Sequence, residues 1–497
     1  METFSFIWII LLPLTASPLI YLSGRVGKSR SHSIPQILAL IALLSAWIPF
    51  TQAAMQLNRG EQLTFTIGVI SLCLDGLGLL VAAVSLGLGT FVVLFSGPYL
   101  SVESGREKYY AMLTGMIAMM IGLGCACDLF NLWVWFEAMA ITSYLLVTFY
   151  REQPASLEAG IKYLVQSAAG SVLVLLGIGI IYAQTGSLNI TEIRAVQDSS
   201  TALLAAGALF VIGYGVKSAL VPLHTWLPDA HSQAPSGISA MLSGIVIEVG
   251  LVAMLRSLST LSYVTTLWGP LLIGFGVLNM VVGNMMALHQ KHVKRLLAYS
   301  SLTHVGYMLV GLGIAIYLGN ANGAVGGLFH LFNHGLMKGL AFLAAGALLY
   351  ALHIAVGDHA PLMISDLSGA SQRYPILALT FSLALLSLGG IPFLAGFMSK
   401  WQIILGGFQT GDIVIALLVI FAALNSVFSL VYYVPLVNSV YRRQPSNAVQ
   451  LGGSIPGIMT VPLLVMTIGV IIIGVWPSIM NWLIYPAGYA VLAGFGW

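Results

Sequence analysis

Long apolar runs, separated by short polar stretches or by glycine and proline, follow one another along almost the whole chain. A helix that crosses a bilayer needs about 20 apolar residues, and the runs have that length. Read between breaks, they predict about fourteen helices, over 4–23, 34–54, 76–97, 110–126, 129–150, 160–183, 202–223, 238–257, 266–288, 296–317, 324–351, 374–410, 413–440 and 458–484. The run 374–410 is interrupted. Strict apolar–polar alternation is absent, so no outer-membrane barrel is predicted. The first run carries Glu2 and has no basic leader or evident cleavage site, which predicts a retained helix rather than a removed signal peptide.

Charge tests this count independently. With the loops numbered in order, the odd ones hold Arg25, Lys28, Arg30, Arg106, Lys108, Arg151, Lys291, Lys294, Arg295, Arg373, Arg442 and Arg443. The even loops and their edges hold Arg59, Arg194 and Arg256. Basic residues stay on the cytoplasmic side of a bilayer, so the asymmetry places both ends of the chain outside. A missed or invented helix would scramble it.

Composition agrees. Of 497 residues, 58% are hydrophobic and 7% charged, against about 25% charged in soluble domains. That excludes a soluble enzyme, a nucleic-acid binder and a disordered scaffold. The formal charge of +3 is scattered and forms no phosphate-binding patch. Cys73, Cys125 and Cys127 are too few for a disulfide framework or an iron–sulfur cluster. The fold class is an all-α polytopic membrane protein.

Six ionisable residues fall inside the apolar runs: Glu137, Lys162, Lys217, Glu248, Lys338 and Lys400. Each costs at least about 2.5–3.5 kcal/mol to insert, and such groups usually mark an ion or proton path. Glu137, short and mid-run, is expected to be neutral, paired or hydrated; a structural bond to a neighbouring helix is the alternative. Lys217 sits in Gly213-Tyr214-Gly215-Val216-Lys217-Ser218, before Pro222. The string lacks phosphate-loop spacing and instead suggests a broken helix whose freed carbonyls stabilise an ammonium.

Lys400 follows a similar interruption, from Gly389-Gly390-Ile391-Pro392 to Ser399. Two interrupted spans, each with one lysine, point to a transporter built from inverted repeats; snorkelling from a helix end is the bland reading of Lys400. His330, His334 and Lys338 share one helix face at i, i+4, i+8 spacing. No third ligand accompanies the histidines, so no metal is assigned. A proton relay fits a residue that titrates near neutrality, with interhelical bonding as the alternative. Glu248 lies mid-span, where a structural bond also competes. His304 in Ser300-Ser301-Leu302-Thr303-His304 is either a core histidine or a relay member, and Lys162 pairs by spacing with Glu158.

These motifs resemble the antiporter-like membrane subunits shared by respiratory complex I, Mrp-type cation/proton antiporters and membrane-bound hydrogenases. The stretch Val216–Arg256 carries the resemblance most specifically. Trp135-Phe136-Glu137, the segment from Lys294 to Ser301, Asn333-His334 with Lys338, and the segment from Gly390 to Lys400 support it. The resemblance implies two inverted five-helix repeats, each with a broken helix, over 110–257 and 258–440, flanked by helices in 1–109 and 441–497. It also implies that Glu137 pairs with Lys217, that His304, His334 and Lys338 belong to a central polar axis, and that Lys400 ends the second half-channel. Two positions depart from the pattern: Glu248 stands where several relatives have lysine, and His292 where the loop commonly has aspartate. The chain ends soon after its last span, which leaves no room for the long lateral helix of the largest complex I relative.

The implied function is proton translocation, with Na+ or K+ as further cargo in antiporter branches, inside a multisubunit complex of a prokaryotic plasma membrane. Opening a Glu137–Lys217 pair would leave the desolvation of the ammonium unopposed, so that its proton moves past Glu248, His304, His334 and Lys338 to Lys400. A free-standing secondary transporter using the same broken helices is the competing reading. A membrane-embedded enzyme is weaker, because no nucleophile–base pair or cluster motif is present. Redox chemistry, cofactors and metals are expected to reside in partner subunits.

Overall fold

The computed structural model describes residues 6–26, 33–68, 70–196, 199–357 and 360–497. Glu2, Lys28 and Arg30 of the sequence argument lie outside them. The described chain is helical almost throughout. It opens with α1 (Ile7–Val26), α2 (Ile34–Asn58), α3 (Gly76–Tyr99), α4 (Arg106–Gly124), α5 (Leu129–Val147) and α6 (Pro154–Thr185). A short α7 (Ile190–Val196) leads to α8 (Thr201–Lys217) and α9 (Trp226–Gln233). The central span is α10 (Ser236–Met241) and α11 (Ile247–Ser259), joined by a π-helical turn over Leu242–Val246. Then follow α12 (Trp268–Leu288), α13 (Val293–Leu318), α14 (Ala321–Leu352), α15 (Pro375–Gly389), α16 (Ala395–Gln409) and α17 (Ile413–Val440). A short α18 (Asn447–Leu451), α19 (Gly457–Val475) and α20 (Asn481–Gly494) complete the chain.

Local chemistry sets the helix ends. Asp75, Asp128 and Asp412 sit in extended backbone before α3, α5 and α17 and accept the orphan N–H groups of the first turns. Pro154 opens α6, where its missing donor costs nothing, and Gly186 ends it at φ 70°. Among the described residues, eleven helices are long and apolar enough to cross a membrane. The other expected spans fall on α4, on α8 and the irregular stretch after it, and on α15 with α16.

Both predicted interruptions are present. Helix α8 stops at Lys217 and the chain runs without regular helix to α9. Asn279 of α12 supports that stretch, accepting from the Val221 N–H at 2.8 Å and donating to the Ala219 carbonyl at 3.2 Å. Helix α15 stops at Gly389, Gly390 turns the chain at φ 83°, and α16 starts at Ala395.

Three expectations need correction. The run 458–484 is not one helix: α19 ends at Val475, Pro477 opens a 3-10 turn, and α20 carries the chain on to Gly494. Proline there removes a donor and stops the first helix. A hairpin of β1 (Leu63–Ile67) and β2 (Ile70–Leu74) also forms where no strand was predicted. Five-residue strands give little alternation to read, and this pair is held by distant contacts. Cys73 forms a disulfide with Cys127, and its N–H donates to the Cys125 carbonyl at 2.7 Å. Finally, Lys294, assigned to a loop, is buried and donates to the Ala234 carbonyl at 2.7 Å.

Layering places the charges. The apolar stretch within Ser236–Ser259 is wholly buried, and that within Val293–Leu318 nearly so. By contrast, most of α17 is not buried. The span α10–α11 is therefore wrapped by other helices on every side, and Glu248 faces protein rather than lipid.

Candidate ion-translocation axis

The Lys217 side chain emerges at the last residue of α8. Its ammonium donates to Ser143 Oγ of α5 at 2.9 Å and to Tyr163 Oη of α6 at 2.5 Å. It also lies 4.5 Å from the centre of the Tyr163 ring. The direct ion pair expected with Glu137 is absent from the geometry: the Lys217 partners are hydroxyls, and Glu137 Oε1 is buried with no hydrogen-bond partner.

Across α11, Gly250 lets the Lys217 stem lie close; a Cβ there would meet Lys217 Cβ at 3.1 Å. Two residues away, Glu248 Oε1 meets His334 Nδ1 of α14 at 2.6 Å, with both side chains 0% exposed. A hydrogen bond between an imidazole nitrogen and a carboxyl oxygen carries one proton, which either group can own. Glu248 Oε2 and His334 Nε2 have no partner among the described residues. The close approach of the two helices follows from glycine: a Cβ on Gly335 would lie 2.7 Å from the Gly244 carbonyl. Gly244 belongs to the π turn just before Glu248, and such turns widen a helix locally and turn side chains toward a site.

From His334 the row continues. Its ring centre is 5.0 Å from that of His304, and His304 Nδ1 lies 3.0 Å from His330 Nε2. His330 Nδ1 then meets Ser399 Oγ at 2.9 Å, beside Lys400. The Lys400 ammonium donates to the Leu388 carbonyl at 2.8 Å and to Ser426 Oγ at 2.7 Å, and lies 4.7 Å from the centre of the Tyr307 ring. Lys338, one turn from His334, donates to the Leu297 carbonyl at 2.7 Å and to Ser300 Oγ. All of these lysines and histidines are at most 6% exposed.

The structure thus joins Glu248, His334, His304, His330 and, through Ser399, Lys400 in one buried row, with Lys338 one turn from His334 and Lys217 packed on the Gly250 side of α11; Glu137 is half-buried. Lys162 stands apart. It pairs with Glu158 at 2.7 Å and Asp229 at 3.1 Å, and its side chain is 47% exposed. Several members had no signal in the sequence: Ser143, Tyr163, Ser300, Tyr307, Ser399 and Ser426. Serine and tyrosine are ordinary in membrane helices, and only packing brings these hydroxyls to the lysines. His231 is also fully buried, stacked on Phe342 of α14 at 4.7 Å.

Residues 126–426, more than half of the chain and the part that contains the whole row, match the family model described as "NADH:quinone oxidoreductase/Mrp antiporter, TM". The chain belongs to that family. It is 31% identical over 503 aligned residues to NADH-quinone oxidoreductase subunit N of Desulforudis audaxviator, covering 95% of each chain. It is 30% identical to F(420)H(2) dehydrogenase subunit N of Methanosarcina mazei, covering 92% of this chain and 93% of that one. Among solved structures, a chain of the membrane-bound sulfane sulfur reductase, an archaeal respiratory membrane complex, superposes with a TM-score of 0.87 at 30% identity. That match covers 99% of this chain and 98% of the other. The antiporter-family fold therefore extends beyond the family segment to both ends of the chain.

Proposed function

We propose that this antiporter-family chain translocates protons as a membrane subunit of a multisubunit respiratory complex in a prokaryotic plasma membrane. The observation that carries the reading is the Glu248–His334 contact of 2.6 Å, fully buried and continued through His304 and His330 to Ser399 beside Lys400. Ionisable groups at such cost inside a membrane protein persist where they conduct. The relatives that cover the chain end to end are named as subunits, which supports the subunit reading over a free-standing transporter.

In this reading the proton on the Lys217 ammonium is held by Ser143 and Tyr163 and attracted by the Glu137 carboxylate. A charge arriving from a neighbouring subunit reorients Glu137 and weakens that attraction. The desolvated ammonium then gives up its proton toward Glu248. With neutral His334 carrying its own proton on Nε2, a proton taken up at Glu248 Oε2 passes the shared one to His334 Nδ1, and the imidazolium gives up its Nε2 proton on the other side. The imidazoles of His304 and His330, 3.0 Å apart, hand it on by exchanging donor and acceptor nitrogens. Lys400 receives it at the second break. Residues 110–257 and 258–440 would form the two repeat halves, a division supported by the recurrence of one break and one lysine in each.

The test uses the assembled complex in sealed vesicles. Lys217→Ala and Glu248→Gln are each expected to lose at least about tenfold in proton pumping while the complex still assembles. The glutamine keeps a partner for His334 and removes only the titrating group. Wild-type pumping in both variants would overturn the reading.

A further inference from the structure

Resting on the translocation reading above, we infer that Tyr163 and Tyr307 are positioning residues that seat the ammonium groups of Lys217 and Lys400, Tyr163 through its hydroxyl and Tyr307 through its ring face. A tyrosine and a serine flank each ammonium, on unrelated elements. Lys217 donates to Tyr163 Oη at 2.5 Å and to Ser143 Oγ at 2.9 Å. Lys400 lies 4.7 Å from the centre of the Tyr307 ring and donates to Ser426 Oγ at 2.7 Å. A cation this close to a ring face is attracted by the ring quadrupole, most strongly where water is excluded. Both lysines are nearly water-free, at 1% and 6% exposure. Lys338, in an unbroken helix, is held by the Leu297 carbonyl and Ser300.

Each ring is fixed by a second clamp that involves no charge. Tyr163 stacks on Trp226 with centres 3.9 Å apart and planes 4° apart. The Trp226 indole N–H donates at 2.8 Å to the Val216 carbonyl, one of those freed where α8 ends. Ring, indole, freed carbonyl and Lys217 therefore close a loop, and a shift of α9 past the break moves the seat together with the lysine. Tyr307 is held by its hydroxyl, which accepts from Asn425 Nδ2 at 3.0 Å. Asn425 is in turn bound by Asn284, and Asn284 Oδ1 accepts from Thr303 and Tyr432. The clamp spans α12, α13 and α17, so the second seat belongs to the helices around the break rather than to α16.

The Tyr307 face seats the Lys400 ammonium without giving it a proton acceptor, whereas the Tyr163 hydroxyl holds Lys217 by accepting from it. On the ring face the ammonium stays located while its protons remain free for Ser426 and the row. The lysines at both ends would thus return to the same place after each transfer.

The experiment measures proton pumping and its pH profile in the assembled complex in sealed vesicles for Tyr307→Phe, Tyr307→Leu, Tyr163→Phe and Tyr163→Leu. Tyr307→Phe keeps the face, loses the hydroxyl that Asn425 holds, and is expected to pump at least about threefold better than Tyr307→Leu. Tyr307→Leu removes the face as well and is expected to lose about tenfold or more in a complex that still assembles, with a displaced profile. Tyr163→Phe loses the hydroxyl that contacts Lys217 and is expected to lose as much as Tyr163→Leu. Where a leucine variant does not assemble, the methionine variant at that position has matching bulk without a ring and carries the same expectation. At Tyr307, leucine and methionine variants that pump like the phenylalanine one, on the same profile, would overturn the ring-face seat, and wild-type pumping by Tyr163→Phe would overturn the hydroxyl seat. Lys400→Ala separates the two levels. An inactive Lys400→Ala beside a normal Tyr307→Leu removes the seat and leaves translocation standing, whereas normal pumping by Lys400→Ala removes the reading beneath it.

Discussion

At the scale of single residues, His292 shows how one side chain serves structure at a helix start. It sits in extended backbone before α13, and its Nδ1 accepts the Arg295 N–H at 3.4 Å. Burial pushes its imidazole down to about 4, and the nearby Lys294 and Arg295 charges add to that. A folded-state value below the ordinary value of about 6.5 means that the unfolded chain binds the proton first. The stabilisation is therefore complete above about pH 6.5 and is lost as the pH falls toward 4. His292→Asn keeps a capping oxygen without titrating. Thermal melts of the complex across that window are expected to fall less steeply for the variant than for wild type; parallel curves would remove His292 from the acid response. The identity of the row was legible at this scale, because charge inside hydrocarbon is rare enough to stand out. Its hydroxyl partners were not, since nothing in a serine or tyrosine codon position distinguishes a seat from ordinary packing.

At the scale of elements, the breaks decide where charges meet. The two lysine-bearing interruptions were readable because glycine and proline withdraw helix propensity and hydrogen bonds at known places. The π turn over Leu242–Val246 had no such marker, yet it brings Glu248 to His334. Gly335 is the hinge of that contact, since a Cβ there would lie 2.7 Å from the Gly244 carbonyl and 2.9 Å from Val84 Cγ1. Gly335→Val is expected to push α14 from the π turn, costing about 1–3 kcal/mol of stability through overpacking. It should also cut pumping by separating the shared-proton pair. A valine variant with wild-type melting and pumping would show that the two helices need no such close approach. The expected Glu137–Lys217 pair failed on element geometry too: α5 presents Ser143, not Glu137, to the end of α8.

At the scale of the whole molecule, sidedness can be checked against a feature outside the charge count. Cys73 and Cys127 both lie in even loops, the basic-poor side, and are disulfide-bonded with Cα atoms 5.8 Å apart. Disulfides persist on the oxidising, extracytoplasmic face, so the bond agrees with the orientation set by the arginines and lysines. The outer face gains a second tie where Arg256 donates to both Asp75 carboxylate oxygens at 2.8 and 3.1 Å. Cys73→Ser is expected to destabilise the chain by about 2–4 kcal/mol, read as a lower denaturation midpoint. A membrane-impermeant reductant should open the bond only when applied from outside; reduction solely from the cytoplasmic side would reverse the topology.

The sequence by itself determined the solvent, the basic bias of alternate loops and which charges fall inside apolar runs. Bilayer burial requires runs of apolar residues, orientation follows basic loops, and each charge tolerated inside a run announces itself by its cost. What the tertiary structure alone decided is which of those charges touch. A contact between α11 and α14, or between α13 and α16, joins residues far apart in the chain through glycine approaches and a π turn. No local pattern records such a juxtaposition, because it depends on how several helices pack at once.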